Sequence, residues 1–146
     1  VFLLEYNIRF GDPEAQVVLP LLESDLGLAL HRLSVGEVTP LKWRHDLHAV
    51  GVVLAPPGYP NNPQQGVEIQ GDIEFETPSS YFIHSSCIKL NGIWQTQGSR
   101  ALTAVGLGST ATEATKNAYS QASHVQWQNL VRRDDIGFNT ISALAE

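Results

Sequence analysis

The sequence predicts an α+β fold, and three observations carry that expectation. Residues 1–10 alternate like a half-buried strand and lead straight into an apolar stripe of helical spacing. Between residues 48 and 107 short apolar runs follow one another, separated by Pro, Gly and Asn. A second helix-start signal stands at Ser109 to Glu113. One strand and helix, then a run of strands, then a helix, is the element order of an α+β chain.

In the first strand Phe2, Leu4, Tyr6, Ile8 and Phe10 share one face, and Glu5, Asn7 and Arg9 share the other. Gly11 supplies a turn, Asp12 reads as an N-cap, Pro13 suits the first helical position, and Glu14 complements the helix dipole. The helix predicted there carries Val18, Leu21, Leu22, Leu26, Ala29, Leu30 and Leu33 as a core-facing stripe, kinked or delayed by Pro20. Residues 36–46 form a connection, and 48–55 are apolar and β-branched enough for a buried strand. The run PPGYPNNPQQG, residues 56–66, is the strongest loop signal. Further short strands are predicted over 67–70, 81–84, 87–90, 93–96 and 101–107, with Asn91-Gly92 as a hairpin turn. Thr110 and Glu113 resemble a capping box opening a helix that runs to about Val125.

With 146 residues, 42% of them hydrophobic, the chain can bury one core. A net charge of −6 with interspersed signs argues against a nucleic-acid surface, which needs clustered Lys and Arg. Cys87 is the single cysteine; it permits no internal disulfide and reads as a structural thiol. No apolar run approaches the ~20 residues of a membrane span, so no membrane partner and a cytoplasmic location are expected. The sequence has no Met and begins at Val1 inside a strand pattern, which reads as a chain cut through an element.

Glu5 and Asn7 lie about two strand rises, roughly 6.5–7 Å, apart on one face, so both can offer oxygen to one hard cation such as magnesium. A solvated strand face explains the same spacing. Arg9 either pairs with Glu5 or holds a phosphate through its planar fork. His45 and His48 have metal-like spacing at a linker and read as surface residues, and His84 reads as a histidine satisfied within the β region.

The run EYNIRFGDPEAQVVLPLLESDL, residues 5–26, closely resembles the signature of phosphoribosylamine-glycine ligase, also called glycinamide ribonucleotide synthetase, an ATP-grasp family of purine synthesis. The resemblance continues through VVLAPPGYP (52–60), Phe82-Ile83-His84, GSRAL (98–102) and RRDDIG (132–137). It spans essentially the whole chain but only the carboxy-terminal part of the family enzyme. The family's Gly-Gly-Tyr-Pro loop reads Pro57-Gly58-Tyr59-Pro60 here, and its Gly-Gly-Arg stretch reads Gly98-Ser99-Arg100.

The resemblance implies that residues 1–36 are the last strand and helix of an ATP-grasp domain, and residues 37–146 a small β-rich carboxy-terminal domain. It implies ATP as co-substrate, magnesium or manganese held by Glu5 and Asn7, and glycine and 5-phosphoribosylamine as the other substrates. Arg9 is implied as the catalytic residue, and Arg9, Asp12 and Arg100 as substrate-binding residues. Asp12 serves equally as an N-cap in this reading, and Arg100 equally as a turn arginine. The chain alone is expected to be inactive, with the amino-terminal part of the same enzyme as its partner. Two alternatives are a non-catalytic interaction module and an ATP-grasp ligase with a different acceptor.

Overall fold

The computed structural model describes Phe2, Leu3, Tyr6 and residues 8–138. The elements are α1 (Glu14–Val18), a 3-10 turn (Leu19–Leu21), α2 (Leu26–Ser34), β1 (His48–Leu54), β2 (Gln70–Gly71) and β3 (Ser80–His84). They continue with β4 (Cys87–Leu90), β5 (Ile93–Thr96), β6 (Leu102–Gly108), α3 (Ala111–Ala122) and β7 (Val125–Gln126).

A three-stranded antiparallel sheet in the order β1-β6-β3 forms the centre. Leu54 faces Leu102 at one end of the β1–β6 ladder and His48 faces Gly108 at the other. Across β6, Ser80 pairs with Gly106 and His84 with Leu102. Two ribbons, β2-β7 and β4-β5, stand beside it, and isolated bridges add Glu68 to Gln95 of β5 and Ala55 to Val131. The β4-β5 hairpin turns at Asn91 and Gly92, with φ of 51° and 84°; two successive residues at positive φ are what a tight hairpin turn with matching twist requires.

α3 lies across β6 and β1. Its buried residues Ala114, Thr115, Ala118, Gln121 and Ala122 recur at helical spacing and are mostly small. The strand opposite is small as well. A Cβ on Gly106 would stand 2.1 Å from the Ala118 nitrogen and 2.3 Å from the Ala114 carbonyl oxygen, so helix and strand backbones meet directly there. Val52, Leu54, Leu102 and Ala104 fill the core beneath, with Ile69, Ile73, Val125 and Trp127 closing it. Thr110 caps α3 by accepting from the Glu113 amide at 3.1 Å. The Glu113 carboxylate reaches one residue further back than a standard capping box, to the Ser109 amide and hydroxyl, both at 2.8 Å.

The amino-terminal expectations need correcting. Among the described residues no strand pairing involves 2–10, and Phe2, Tyr6 and Ile8 are 92%, 81% and 96% exposed. A strand needs a neighbour to complete its ladder, and the central sheet supplies none there. Leu4, Glu5 and Asn7 lie outside the described residues. The predicted single helix is two helices separated by the Pro20 turn and a break, after which Asp25 caps α2 by accepting from the Leu28 amide at 2.8 Å. Its apolar stripe is not buried in this chain: Leu30 and Leu33 are more than half exposed. Asp12 does not cap α1. Pro13 takes the cap position without a side-chain bond, because the Asp12 carboxylate is engaged by two other side chains.

Candidate functional site

Strand alternation divides β1 between two surroundings. Val52 and Leu54 enter the core, while Gly51 and Val53, with Ala55 just beyond the strand, line a cavity of about 270 Å3 on the other side. Gly51 sits under α1, where an added Cβ would come within 2.9 Å of Val17. Pro13, at the start of α1, walls the cavity on that side. Tyr59 comes from the Pro-rich loop and Arg100 from the turn before β6.

Arg100 joins these parts. Its Nη1 stands 3.2 Å from Asp12 Oδ2 and also donates to the Asp12 carbonyl oxygen. Its Nε donates to the Tyr59 hydroxyl at 3.4 Å. The Tyr59 contact, with a smaller part from the Asp12 charge, holds the guanidinium above the ordinary arginine range, so it is charged throughout the useful pH range. Gln16 Nε2 donates to the other Asp12 oxygen, Oδ1, at 2.6 Å. Asp12 also borders a second, more open hollow of about 550 Å3 with Phe10, Leu19 and Tyr81 in its wall. The ion pair therefore spans from one hollow to the other.

The far wall of the smaller cavity is a strap, residues 131–136, carrying Arg132 and Arg133. Val131 and Ala55 exchange two backbone hydrogen bonds of 2.9 Å, which extends the β1 edge by one bridge. The Tyr119 hydroxyl on α3 donates to the Arg133 carbonyl at 3.0 Å and accepts from the Ile136 amide at 2.9 Å. Arg132 Nε pairs with Asp134 at 2.9 Å, and Arg133 pairs with Asp135 through Nε and Nη2. The Asp135 partner holds the Arg133 guanidinium above its ordinary range as well.

Of the residues expected at a site, the structure brings Asp12 and Arg100 together. Arg9 Nη1 donates to the neighbouring Phe10 carbonyl at 2.9 Å. Glu5 and Asn7 lie outside the described residues, and no group of three or more His, Cys, Asp or Glu among the described residues is placed to hold a metal ion. His84 is satisfied by the Ile73 carbonyl at 3.2 Å and rests edge-on against Trp94. Burial pushes the Cys87 thiol up, away from nucleophilic character. No helix among the described residues is long and apolar enough to cross a membrane. Sequence reasoning missed Tyr59, Arg132 and Arg133, which line the cavity with Arg100, and Gln16, which holds Asp12. The run RRDD was visible as a charge pair repeated, but its two-residue local pairing gives no hint of what it faces.

The chain is 34% identical to a phosphoribosylamine-glycine ligase of Mesorhizobium japonicum over 96% of its own length, and 35% identical to that of Vibrio cholerae over the same share. It spans about a third of each of these relatives, covering 33% of their length. A trifunctional purine biosynthetic protein of Drosophila melanogaster is 39% identical over 86% of the chain, which covers 10% of that protein. The crystal structure of phosphoribosylamine-glycine ligase from Thermotoga maritima superposes with a TM-score of 0.78 at 32% identity, over 92% of this chain and 33% of that one. Residues 49–139, well over half of the sequence, match the family model described as phosphoribosylglycinamide synthetase, C domain, and the chain belongs to that family.

Proposed function

We propose that this chain is the carboxy-terminal part of an ATP-dependent ligase that joins glycine to 5-phosphoribosylamine, forming glycinamide ribonucleotide. The observation that carries this reading is the similarity to proteins named for that reaction, running over 96% of the chain. In this reading residues 1–36 close an ATP-grasp domain and 37–146 form the β-rich terminal domain, and the enzyme works in the cytoplasm. The exposed apolar residues before Gly11 then pair with sheet contributed by the rest of the enzyme.

Glu5 and Asn7 supply a carboxylate and an amide oxygen, a donor set that suits a hard cation sharing substrate phosphates and water. Magnesium or manganese held there would neutralise charge on the phosphate oxygens of ATP. Arg9 holds a substrate anion beside them, and its fixed charge needs no reorganisation as the phosphoryl group moves. Asp12 and Arg100 orient the acceptor side of the site, each held by the other.

Steady-state kinetics of the complete ligase over a magnesium series test this reading. Glu5→Gln removes a charge, so metal affinity falls and added magnesium recovers part of the loss. Asn7→Leu removes the oxygen, and added metal recovers much less. Arg9→Lys weakens an anionic substrate without altering magnesium dependence. Losses of roughly 10²- to 10³-fold are expected where a transition-state contact goes. Normal turnover and magnesium dependence in both metal-pair variants would overturn the metal assignment, and failure to form glycinamide ribonucleotide would overturn the function.

A further inference from the structure

Three of the chain's nine Lys and Arg residues line one cavity, in a protein whose net charge is −6. Each is paired with an aspartate, Asp12, Asp134 or Asp135, so what sets the cavity apart is its supply of guanidinium donors and not a net positive charge. Each guanidinium is anchored along one edge by its own carboxylate or phenol, and each keeps donors in hand. Among the described residues Arg132 leaves both Nη groups, Arg100 its Nη2 and Arg133 its Nη1 without a hydrogen-bond partner. Arg100, held by both Tyr59 and Asp12, is oriented before any ligand arrives, which lowers the entropy cost of binding, while Arg132 and Arg133 are held more loosely by exposed aspartates two residues on.

The remaining wall is apolar: Val53, Ala55, Val131 and Ile136, with the Tyr59 ring beside them. A bare anion gains nothing from such a surface. A ligand with a phosphate at one end and a compact carbon skeleton at the other uses both parts. The volume of about 270 Å3 lies near the lower edge of small-molecule sites, roughly 300–1,000 Å3, which favours a single sugar over a nucleotide.

The geometry points to a phosphomonoester subsite in this cavity, with Arg132 and Arg133 joining Arg100 on the phosphate of a small phosphorylated sugar and Tyr59 against its skeleton. The subsite rests on the ligase reading, for which it names where the phosphate of the sugar substrate is held. The backbone of the strap carrying Arg132 and Arg133 is fixed at both ends, by the Ala55–Val131 bridge and by Tyr119, so the two side chains, Arg132 about one-third and Arg133 mostly in solvent, start from a set position beside the cavity.

Calorimetric titration of the 146-residue chain tests the subsite without catalysis. The ligands are ribose 5-phosphate, ribose, inorganic phosphate and adenosine 5′-phosphate. Ribose 5-phosphate is expected to bind saturably, inorganic phosphate more weakly, and ribose not at all. Arg132→Gln and Arg133→Gln should each weaken ribose 5-phosphate roughly 10-fold or more, as loss of a charge-assisted contact does, with superimposable urea unfolding curves. Replacement of either by Lys should recover part of the affinity. No saturable binding, or binding indifferent to both Gln variants, overturns the subsite. Inorganic phosphate binding as tightly as ribose 5-phosphate overturns the sugar part, and adenosine 5′-phosphate binding about 10-fold tighter overturns the size argument. A complete enzyme that makes no glycinamide ribonucleotide while this chain still binds ribose 5-phosphate leaves the subsite standing and removes the ligase reading. A working ligase whose chain shows no binding does the reverse.

Discussion

Asp12 and Arg100 lie 88 positions apart in sequence and meet as an ion pair of 3.2 Å, with the same guanidinium bonded to the Asp12 backbone. The contact ties the segment before α1 to the turn before β6. Both side chains remain partly in solvent, 47% and 32% exposed, so the charge attraction is screened and the pair is a weak source of stability.

The first prediction follows from that exposure. Asp12→Asn and Arg100→Gln should each change the unfolding free energy by no more than about 1 kcal/mol. Urea denaturation of the chain measures it. In the complete ligase the same variants should affect catalysis far more than stability, because their place beside the cavity is a substrate role in the reading proposed here. A loss of several kcal/mol in urea would mean that the pair supports the fold.

The second prediction concerns the contact between β6 and α3. Gly106→Ala drives a Cβ into the Ala118 and Ala114 backbones, and neither can move without shifting the helix. Overpacking of this kind costs about 1–3 kcal/mol. Urea unfolding should show the loss as a lower midpoint with an unchanged slope. A midpoint equal to that of the parent chain would show that α3 stands off the sheet.

The sheet was legible because its signals are local. The apolar runs at 48–55, 81–84, 87–90, 93–96 and 101–107 match β1, β3, β4, β5 and β6 within one or two residues, and Asn91-Gly92 turns as its residue types require. The last ribbon was missed because β7 is two residues long and pairs with β2 across more than fifty positions. The amino-terminal strand pattern is genuine as periodicity, yet periodicity names a face and not a partner. Pro20 announced a disturbance, but only Asp25, whose carboxylate outcompetes the chain's continuation as helix, decides that the second helix starts afresh. At the candidate site Asp12 and Arg100 were singled out by resemblance. Tyr59, Arg132 and Arg133 come to the same cavity only through tertiary packing, which no spacing in the sequence encodes.

The third prediction is a pH dependence at the start of α3. Hydrogen bonds from Ser109, first through its side chain and then its amide, hold the Glu113 carboxyl below the ordinary glutamate range. A carboxyl depressed on folding stabilises fully above its unfolded value, and that contribution is lost as pH falls through the lower folded value. Glu113→Gln should therefore be less stable than the parent near neutral pH, and the difference should shrink on the acid side of the glutamate range. Thermal unfolding across that range measures it. Thr110→Ala should cost about 1 kcal/mol at either end, since the capping hydroxyl does not titrate. A Glu113→Gln deficit that stays constant with pH would show that the charge is not what Ser109 binds.

The fourth prediction separates the strap from the rest of the fold. One oxygen on α3, the Tyr119 hydroxyl, donates to the Arg133 carbonyl and accepts from the Ile136 amide, so a single-atom deletion unpins two backbone groups. Tyr119→Phe leaves the ring in place, including its face 5.9 Å from the Arg132 guanidinium. The strap is partly exposed, so water can replace the lost partners, and the global cost should sit at the low end of the ~1–3 kcal/mol of an unpaired buried group. The local effect should be larger than the global one. Hydrogen exchange at the Ile136 amide should accelerate well beyond what the change in unfolding free energy accounts for, while amides of β6 keep their protection. Ribose 5-phosphate should bind more weakly in the same variant, although Tyr119 does not line the cavity, because Arg132 and Arg133 are then ordered at the expense of binding. Unchanged exchange at Ile136 would mean that the Ala55–Val131 bridge alone fixes the strap, and Tyr119 would then have no part in positioning the two arginines.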